Sequence, residues 1–298
     1  MSGNRPPIDG VIERVRRTYG SWRRDTTAEQ MRADWDNLFW SDASGAAAQE
    51  VSAMGLTMTW VEAQGVGRDR LFVYLHGGGY KVGSARSHFD LVARISAASG
   101  AAGLILDYSR APEAQFPVQI GELETLCDWL VEQGHAIDRV AFAGDSAGGN
   151  LALAGTLRLK EKGSALPAAL VLLSPWTDLT AAGESYETRA DADPIHQRFM
   201  IRNMAGNYLG DADPAQPLAS PLNADLSRFP PMLIQVGDRE TVLDDARNLA
   251  ARAAAAGVSA RLEVWDGMIH VFQQFHDELA EAREAIDHIG AFLREHLR

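Results

Sequence analysis

Cysteine is nearly missing from this chain: Cys127 stands alone among 298 residues. One thiol closes no internal disulfide and builds no cysteine-rich metal site. It lies in ELETLCDWL, a helical-looking stretch where it reads as a small buried hydrophobe. Basic charge is also short. Lys and Arg number 28 against 40 Asp and Glu, a formal net charge of -12. Phosphate binding needs a basic surface, so nucleic acid is not an expected partner. The acidic surplus favours solubility and names no substrate. No run approaches the ~18 apolar residues of a membrane span. The opening MSGNRPPIDGVIERVRR lacks the apolar core of a secretory leader. A cytoplasmic chain with no membrane partner is the expectation.

Hydrophobic residues make up 46% and charged residues 23%, which lets one large domain, or one domain with an insertion, build a sizeable core. No internal repeat is present. The alanine-rich LAARAAAAG has strong helix formers and ends at Gly257, a residue suited to a C-cap. Residues 9–40 read as two amphipathic helices. Val11, Ile12, Val15, Tyr19 and Trp22 fall at helical spacing, and Thr26 or Thr27 serves as a cap. SDASGAAAQE then reads as a connection.

From about residue 50 the period changes. In LTMTWVE, Leu56, Met58 and Trp60 alternate with Thr57, Thr59 and Val61, as in a strand. Short apolar runs of the buried-strand kind follow: LFVYLHG, AGLILDY, RVAFAG, ALVLLSPW, PMLIQVG and RLEVWDG. Helical stretches lie between most of them. This alternation predicts an α/β fold with a largely parallel sheet covered on both faces, antiparallel only at its beginning. Residues 184–222 interrupt the pattern with no predicted strand and an amphipathic helix in HQRFMIRNMAGNYLG. So long a detour is read as part of a cap. The expected division is therefore 1–48 as N-terminal helices of the cap, 49–183 and 223–298 as the two parts of the core, and 184–222 as the cap insertion.

In sheets of this kind ligands bind beyond the carboxyl ends of the strands. There the chain places GDSAG, with Ser146 between Gly144 and Gly148. The spacing is that of a strand-to-helix elbow too tight for side chains beside its apex, which leaves the serine oxygen projecting. A plain glycine-rich turn is the alternative. A serine nucleophile needs a base, and the base needs a carboxylate to fix its tautomer. In the chain order Ser, acid, His, the base is His270, in the loop after the last predicted strand. His76 is read as a brace for its loop. His88 and His196 are within possible reach, though nothing in the spacing requires them. HGGGY, residues 76–80, supplies backbone N–H groups for an oxyanion, and Ala147 supplies another. A phosphate-cradling loop is the competing reading of those glycines, but the lysine pattern of a nucleotide site is missing.

These segments resemble the bacterial hormone-sensitive-lipase-like esterases and lipases of the α/β-hydrolase superfamily. HGGGYKVGSARSH, DYSRAPEAQFP, GDSAGGNLA, LSPWTDLT, GDRETVLDDA and DGMIHVF carry the likeness from about residue 50 onward. The resemblance implies an eight-stranded α/β-hydrolase sheet with a helical cap, and hydrolysis of small carboxylic esters without a cofactor or metal. It makes Ser146 the nucleophile, His270 the base, and Gly78, Gly79 and Ala147 the oxyanion donors, with Gly77 beside them. The acid falls at Glu240, where the family usually has aspartate; Asp238 is the other candidate. Asp244 and Asp245 match a later pair, and also suit a helix N-terminus. In DYSRAPE the family's arginine has moved one place, to Arg110. Tyr80, Asp145, Trp35, Phe39, Phe199, Met204 and Tyr208 are the candidate substrate contacts, several of them equally readable as core. A homodimer is possible. Short- to medium-chain esters are the expected substrates. Lactone opening or amide deacylation by the same triad is the alternative, and a non-catalytic binding role is a further one that the presence of His270 opposes.

Overall fold

The computed structural model describes residues 7–41 and 45–297. The continuous apolar runs become the inner strands of one sheet. In chain order the strands are β1 (Ala47–Ala53), β2 (Leu56–Glu62), β3 (Leu71–Leu75), β4 (Ala102–Leu106), β5 (Val140–Asp145), β6 (Ala169–Leu173), β7 (Met232–Gly237) and β8 (Ala260–Trp265). Their spatial order is β1-β2-β4-β3-β5-β6-β7-β8. β2 pairs antiparallel with β1 and with β4, and every later pair is parallel.

Parallel strands need crossovers, and helices supply them. The helices are α1 (Pro7–Ser21), α2 (Ala28–Phe39), α3 (Ala85–Ser99), α4 (Val118–Glu132), α5 (Ala147–Glu161), α6 (Ser185–Thr188), α7 (Arg198–Leu209), α8 (Leu243–Ala255) and α9 (Ala280–His296). Successive strand side chains point to opposite faces, so each strand feeds two cores. Phe72 and Tyr74 pack with α3 and α9, whereas Val73 and Leu75 pack with α4 and α5. A fully buried Leu or Phe contributes about 1.5–3 kcal/mol, so both faces must be covered. A third cluster joins Ile8, Val11 and Val15 of α1 to Ile195, Ile269 and Phe272. It seats the N-terminal helix against the loop after β8.

Thr27 caps α2, its hydroxyl accepting from the Gln30 N–H at 3.1 Å. Two readings need correction. The stretch taken as a connection holds the start of β1, whose residues are largely exposed. An edge strand with one wet face carries no buried run to betray it. RLEVW was read as a buried strand, yet β8 is half-exposed and Val264 is 41% exposed. It ends the sheet, with a neighbour on one side only.

Candidate active site

β5 passes into α5 through a single residue, Ser146. Its backbone sits at φ 51° and ψ -115°, a conformation that costs a non-glycine residue on the order of 1–3 kcal/mol. The neighbouring chain holds it there. The Ser146 N–H donates to the Leu173 carbonyl at 2.9 Å, and its own carbonyl accepts from the Trp176 N–H at 3.1 Å. Glycine is required on either side. A Cβ on Gly148 would lie 1.9 Å from the Leu75 carbonyl oxygen, and one on Gly144 would lie 2.6 Å from the Gly148 carbonyl.

The glycine loop after β3 comes down beside this elbow. The Gly77 N–H donates to Asp145 Oδ1 at 2.9 Å, which also accepts from the Tyr74 hydroxyl at 3.0 Å. His88 Nε2 lies 3.2 Å from the same oxygen. Burial alone would raise the Asp145 pKa, but His88 and the Tyr74 hydrogen bond hold it below the ordinary carboxylate range. Asp145 borders the cavity, yet its carboxylate is committed to anchoring the loop. His76 braces the same loop by donating Nδ1–H to the Gly77 carbonyl at 2.8 Å, with its ring stacked 4.0 Å from Tyr108. Burial, reinforced by His88, pushes its pKa down to about 3. Arg110, the displaced arginine, donates to the Gly83 carbonyl at the far end of the loop. Gly78 and Gly79 adopt φ 110° and 60° and line the cavity. Ala147 opens α5 directly behind the serine.

The loops after β7 and β8 carry the acid and base candidates. Glu240 Oε2 lies 2.7 Å from His270 Nδ1. A carboxylate here makes Nδ1 the protonated nitrogen, which leaves Nε2 as the acceptor. Glu240 is fully buried, and its other oxygen accepts from the Ser174 hydroxyl at 2.8 Å and from the Gly237 N–H. Burial pushes the His270 imidazole down, the Glu240 carboxylate reverses this, and the pKa ends above 6.5. Asp238, the other acid candidate, turns elsewhere and accepts the Gly267 N–H at 2.7 Å, bracing the turn before His270. Asp244 accepts the Ser185 N–H at 2.8 Å. Asp245 accepts the N–H groups of Thr177 and Asp178 at 2.8 and 2.9 Å. Both tie loops together in addition to opening α8.

Above these groups lies an apolar cavity of about 270 Å³. Ser146, His270, Gly78 and Gly79 border it on the sheet side, Trp35 and Phe39 on the N-terminal side, and Ile195, Phe199 and Met204 on the side of the middle segment. Phe199 is 72% exposed and sits at the rim. Tyr80 and Tyr208 do not belong to this wall, contrary to expectation. Both are fully buried and stack on each other with centroids 3.6 Å apart, and the Tyr80 hydroxyl donates to Asn150 Oδ1 at 2.7 Å. The periodicity of Tyr208 reflects the inner face of α7, where a large ring fills the core, and Tyr80 reaches it from the glycine loop after β3.

Two residues, Ser174 and Asp193, escaped notice as parts of the site, and the sequence puts His196 within reach of it without a role. Ser174, at φ 46°, donates to Glu240 and accepts the Val271 N–H at 3.1 Å, so one hydroxyl joins the acid loop to the base loop. Its position just past a strand end was the available clue. His196 packs its ring edge-on to His270, with centroids 4.6 Å apart at 88°, and is held near pKa 3 by burial and by His270. Asp193 carries no sequence clue. Its Oδ1 accepts the N–H groups of Ile195 and His196 at 2.8 and 2.9 Å, and its Oδ2 accepts the Thr241 N–H and hydroxyl at 2.8 and 3.0 Å.

The family model for the alpha/beta hydrolase fold matches residues 72–274. An acetyl-hydrolase of Streptomyces hygroscopicus is 45% identical over 225 residues, 76% of this chain and 75% of that protein. The crystal structure of an esterase from the bacterial hormone-sensitive lipase family is 42% identical and aligns with a TM-score of 0.94, covering 99% of this chain and 100% of that one. A structure of EstE5 soaked with p-nitrophenyl butyrate is 39% identical, with a TM-score of 0.92 over 98% of this chain and 99% of that one. By fold, by the arrangement at the sheet's edge and by these likenesses, the chain belongs to the bacterial hormone-sensitive lipase family of alpha/beta hydrolases.

Proposed function

We propose that the protein is a serine carboxylic-ester hydrolase that turns over short- to medium-chain acyl esters through an acyl-enzyme. The buried Glu240–His270 pair at 2.7 Å, whose imidazole borders the same cavity as Ser146, carries this reading. His270 Nε2 takes the Ser146 hydroxyl proton as the oxygen attacks the ester carbonyl carbon. The tetrahedral oxyanion accepts hydrogen bonds from the backbone N–H groups of Gly78, Gly79 and Ala147. Collapse expels the alcohol, which takes the proton from His270. Water, deprotonated by His270, then attacks the acyl carbon and releases the acid and Ser146. Glu240 keeps the imidazole in the correct tautomer and stabilises its charged form. Asp238 has no part in proton transfer in this scheme.

The cavity sets the substrate class. Its volume of about 270 Å³ lies below the ~300–1,000 Å³ common for ligand pockets, which favours short acyl chains. Apolar walls from Trp35, Phe39 and Met204 suit hydrocarbon. Residues 7–40 and 184–222 act together as the cap over this cavity. A second copy pairing along the open edge of β8 is the dimer we propose, checked by sedimentation of the purified protein. No helix among the described residues is long and apolar enough to cross a membrane. We place the enzyme in the cytoplasm, consistent with its single cysteine.

The test is hydrolysis of p-nitrophenyl esters from acetate to palmitate, with lactones and N-acetyl amides in parallel. A maximum at short acyl chains is expected, lost in Ser146→Ala. Folded wild type that spares every ester but opens lactones or amides would move the assignment to those bonds.

A further inference from the structure

Outside the ester site, α3 and the turn leading into α9 bring three ligating side chains together. Asp90 is 4% exposed, His276 is 5% exposed, and Asp277 lies at the surface. His276 Nε2 is 2.9 Å from Asp90 Oδ2 and 3.4 Å from Asp277 Oδ1. One ligand atom from each residue falls within 4.8 Å of the others. Yet neither oxygen of Asp90 and neither ring nitrogen of His276 has a hydrogen-bond partner. An imidazole that shares a proton with a carboxylate aims its N–H at the oxygen. Here nitrogen and oxygen meet at bonding distance without that alignment. Buried polar atoms left in this state are costly, and a cation held between them removes the cost.

We propose that Asp90, His276 and Asp277 form a binding site for one divalent cation of the zinc class, with water as the fourth ligand. Zinc holds imidazole nitrogen and carboxylate oxygen at ~2.0–2.2 Å in a tetrahedron, which puts neighbouring ligand atoms roughly 3.3 Å apart. The observed 2.9 and 3.4 Å lie on either side of that spacing. Arg94 does not take the cation's place. Its Nε is 3.5 Å from Asp90 Oδ1 and its Nη2 3.7 Å from Asp277 Oδ1, and Nε has no hydrogen-bond partner of its own. It approaches Asp90 through the oxygen turned away from His276, as an outer group that orients a ligand does. Arg283 is engaged with the His276 carbonyl at 2.6 Å and fixes the turn. A cavity of about 480 Å³, bordered by Arg94, His276 and Asp277, gives the ion and its water a way in. The nitrogen ligand selects zinc over magnesium. The ion's role is structural: it clamps α3 to the turn that follows the His270 loop, and takes no part in ester chemistry.

The experiment uses tag-free full-length protein stripped with a chelator, then titrated with zinc chloride or magnesium chloride by calorimetry and thermal unfolding. One zinc per chain is expected, with Tm rising by about 5 °C at a hundredfold excess over Kd. Asp277→Asn changes a surface residue with little risk to folding, and His276→Ala removes the central ligand. Each is expected to weaken zinc binding at least tenfold and abolish the Tm rise, while ester hydrolysis stays at the wild-type rate. No zinc uptake by wild type, equal uptake by both variants, or an equal response to magnesium would overturn the assignment and leave an ion-pair cluster built around Arg94.

Discussion

The two sides of the cavity are built on different principles. On the sheet side, each group is fixed by backbone hydrogen bonds and by contacts that admit only glycine. Gly77 is tied to Asp145, Ser146 to Leu173, and Glu240 to Gly237 and Ser174. On the opposite side, rings simply lean on one another. Tyr19, Trp35, Phe39 and Phe275 form a chain of edge-on and tilted contacts 4.9–5.6 Å apart. Bond-breaking needs donors and acceptors held to fractions of an ångström, whereas recognising an acyl chain needs only apolar area of about the right shape. Changes to the first side should therefore act on kcat by orders of magnitude, and changes to the second on substrate preference by small factors.

Ser146→Ala is the sharpest test of that contrast. It is expected to lower kcat by about 10⁴-fold or more with Tm unchanged, measured by stopped assays and calorimetry. Glu240→Gln comes next. The amide cannot hold the correct tautomer, and a loss of about 10³–10⁴-fold is expected. Asp238→Asn should cost less than about tenfold, since its carboxylate braces a turn. Equal losses in these two variants would erase the distinction between acid and brace.

The pH profile gives a finer reading of the same pair. The base works only when neutral, so kcat/KM must rise as pH climbs through the His270 pKa. Burial lowers that pKa and Glu240 more than restores it, so the acidic limb should fall above pH 6.5. In Glu240→Gln the burial remains and the carboxylate is gone, so the limb should move to lower pH as the plateau falls. The smallest effect is expected on the cap side. Phe199→Ala, at the rim, should shift the preferred acyl length with less than about fivefold change in kcat for acetate.

The same contrast decided what could be read from the chain. The parallel strands were legible because burial on both faces forces unbroken apolar runs. Ser146 and the glycine loop were legible because tight backbone leaves few residue types to choose from. The acid was narrowed to two residues, and only the fold shows which one reaches the imidazole. β1 escaped because an exposed edge imposes no pattern. Tyr208 misled because a ring stacked below a cavity and a ring lining it share the same helical spacing, and Tyr80, next to the glycine loop, turns inward to stack on it. Asp193 was out of reach, since Thr241, the partner that gives it meaning, lies 48 residues away along the chain, and His196 could be placed near the site but not against His270.

Asp193 bears on how enzymes of this shape change their diet. As part of the proposed cap, the segment between β6 and β7 would be the module to exchange to alter which esters enter. Here that module carries the carboxylate that holds Thr241, the residue beside Glu240. A transplant chosen for its pocket alone would loosen the acid and slow turnover of every substrate. A donor segment with an aspartate at the equivalent turn would carry the new appetite without that loss.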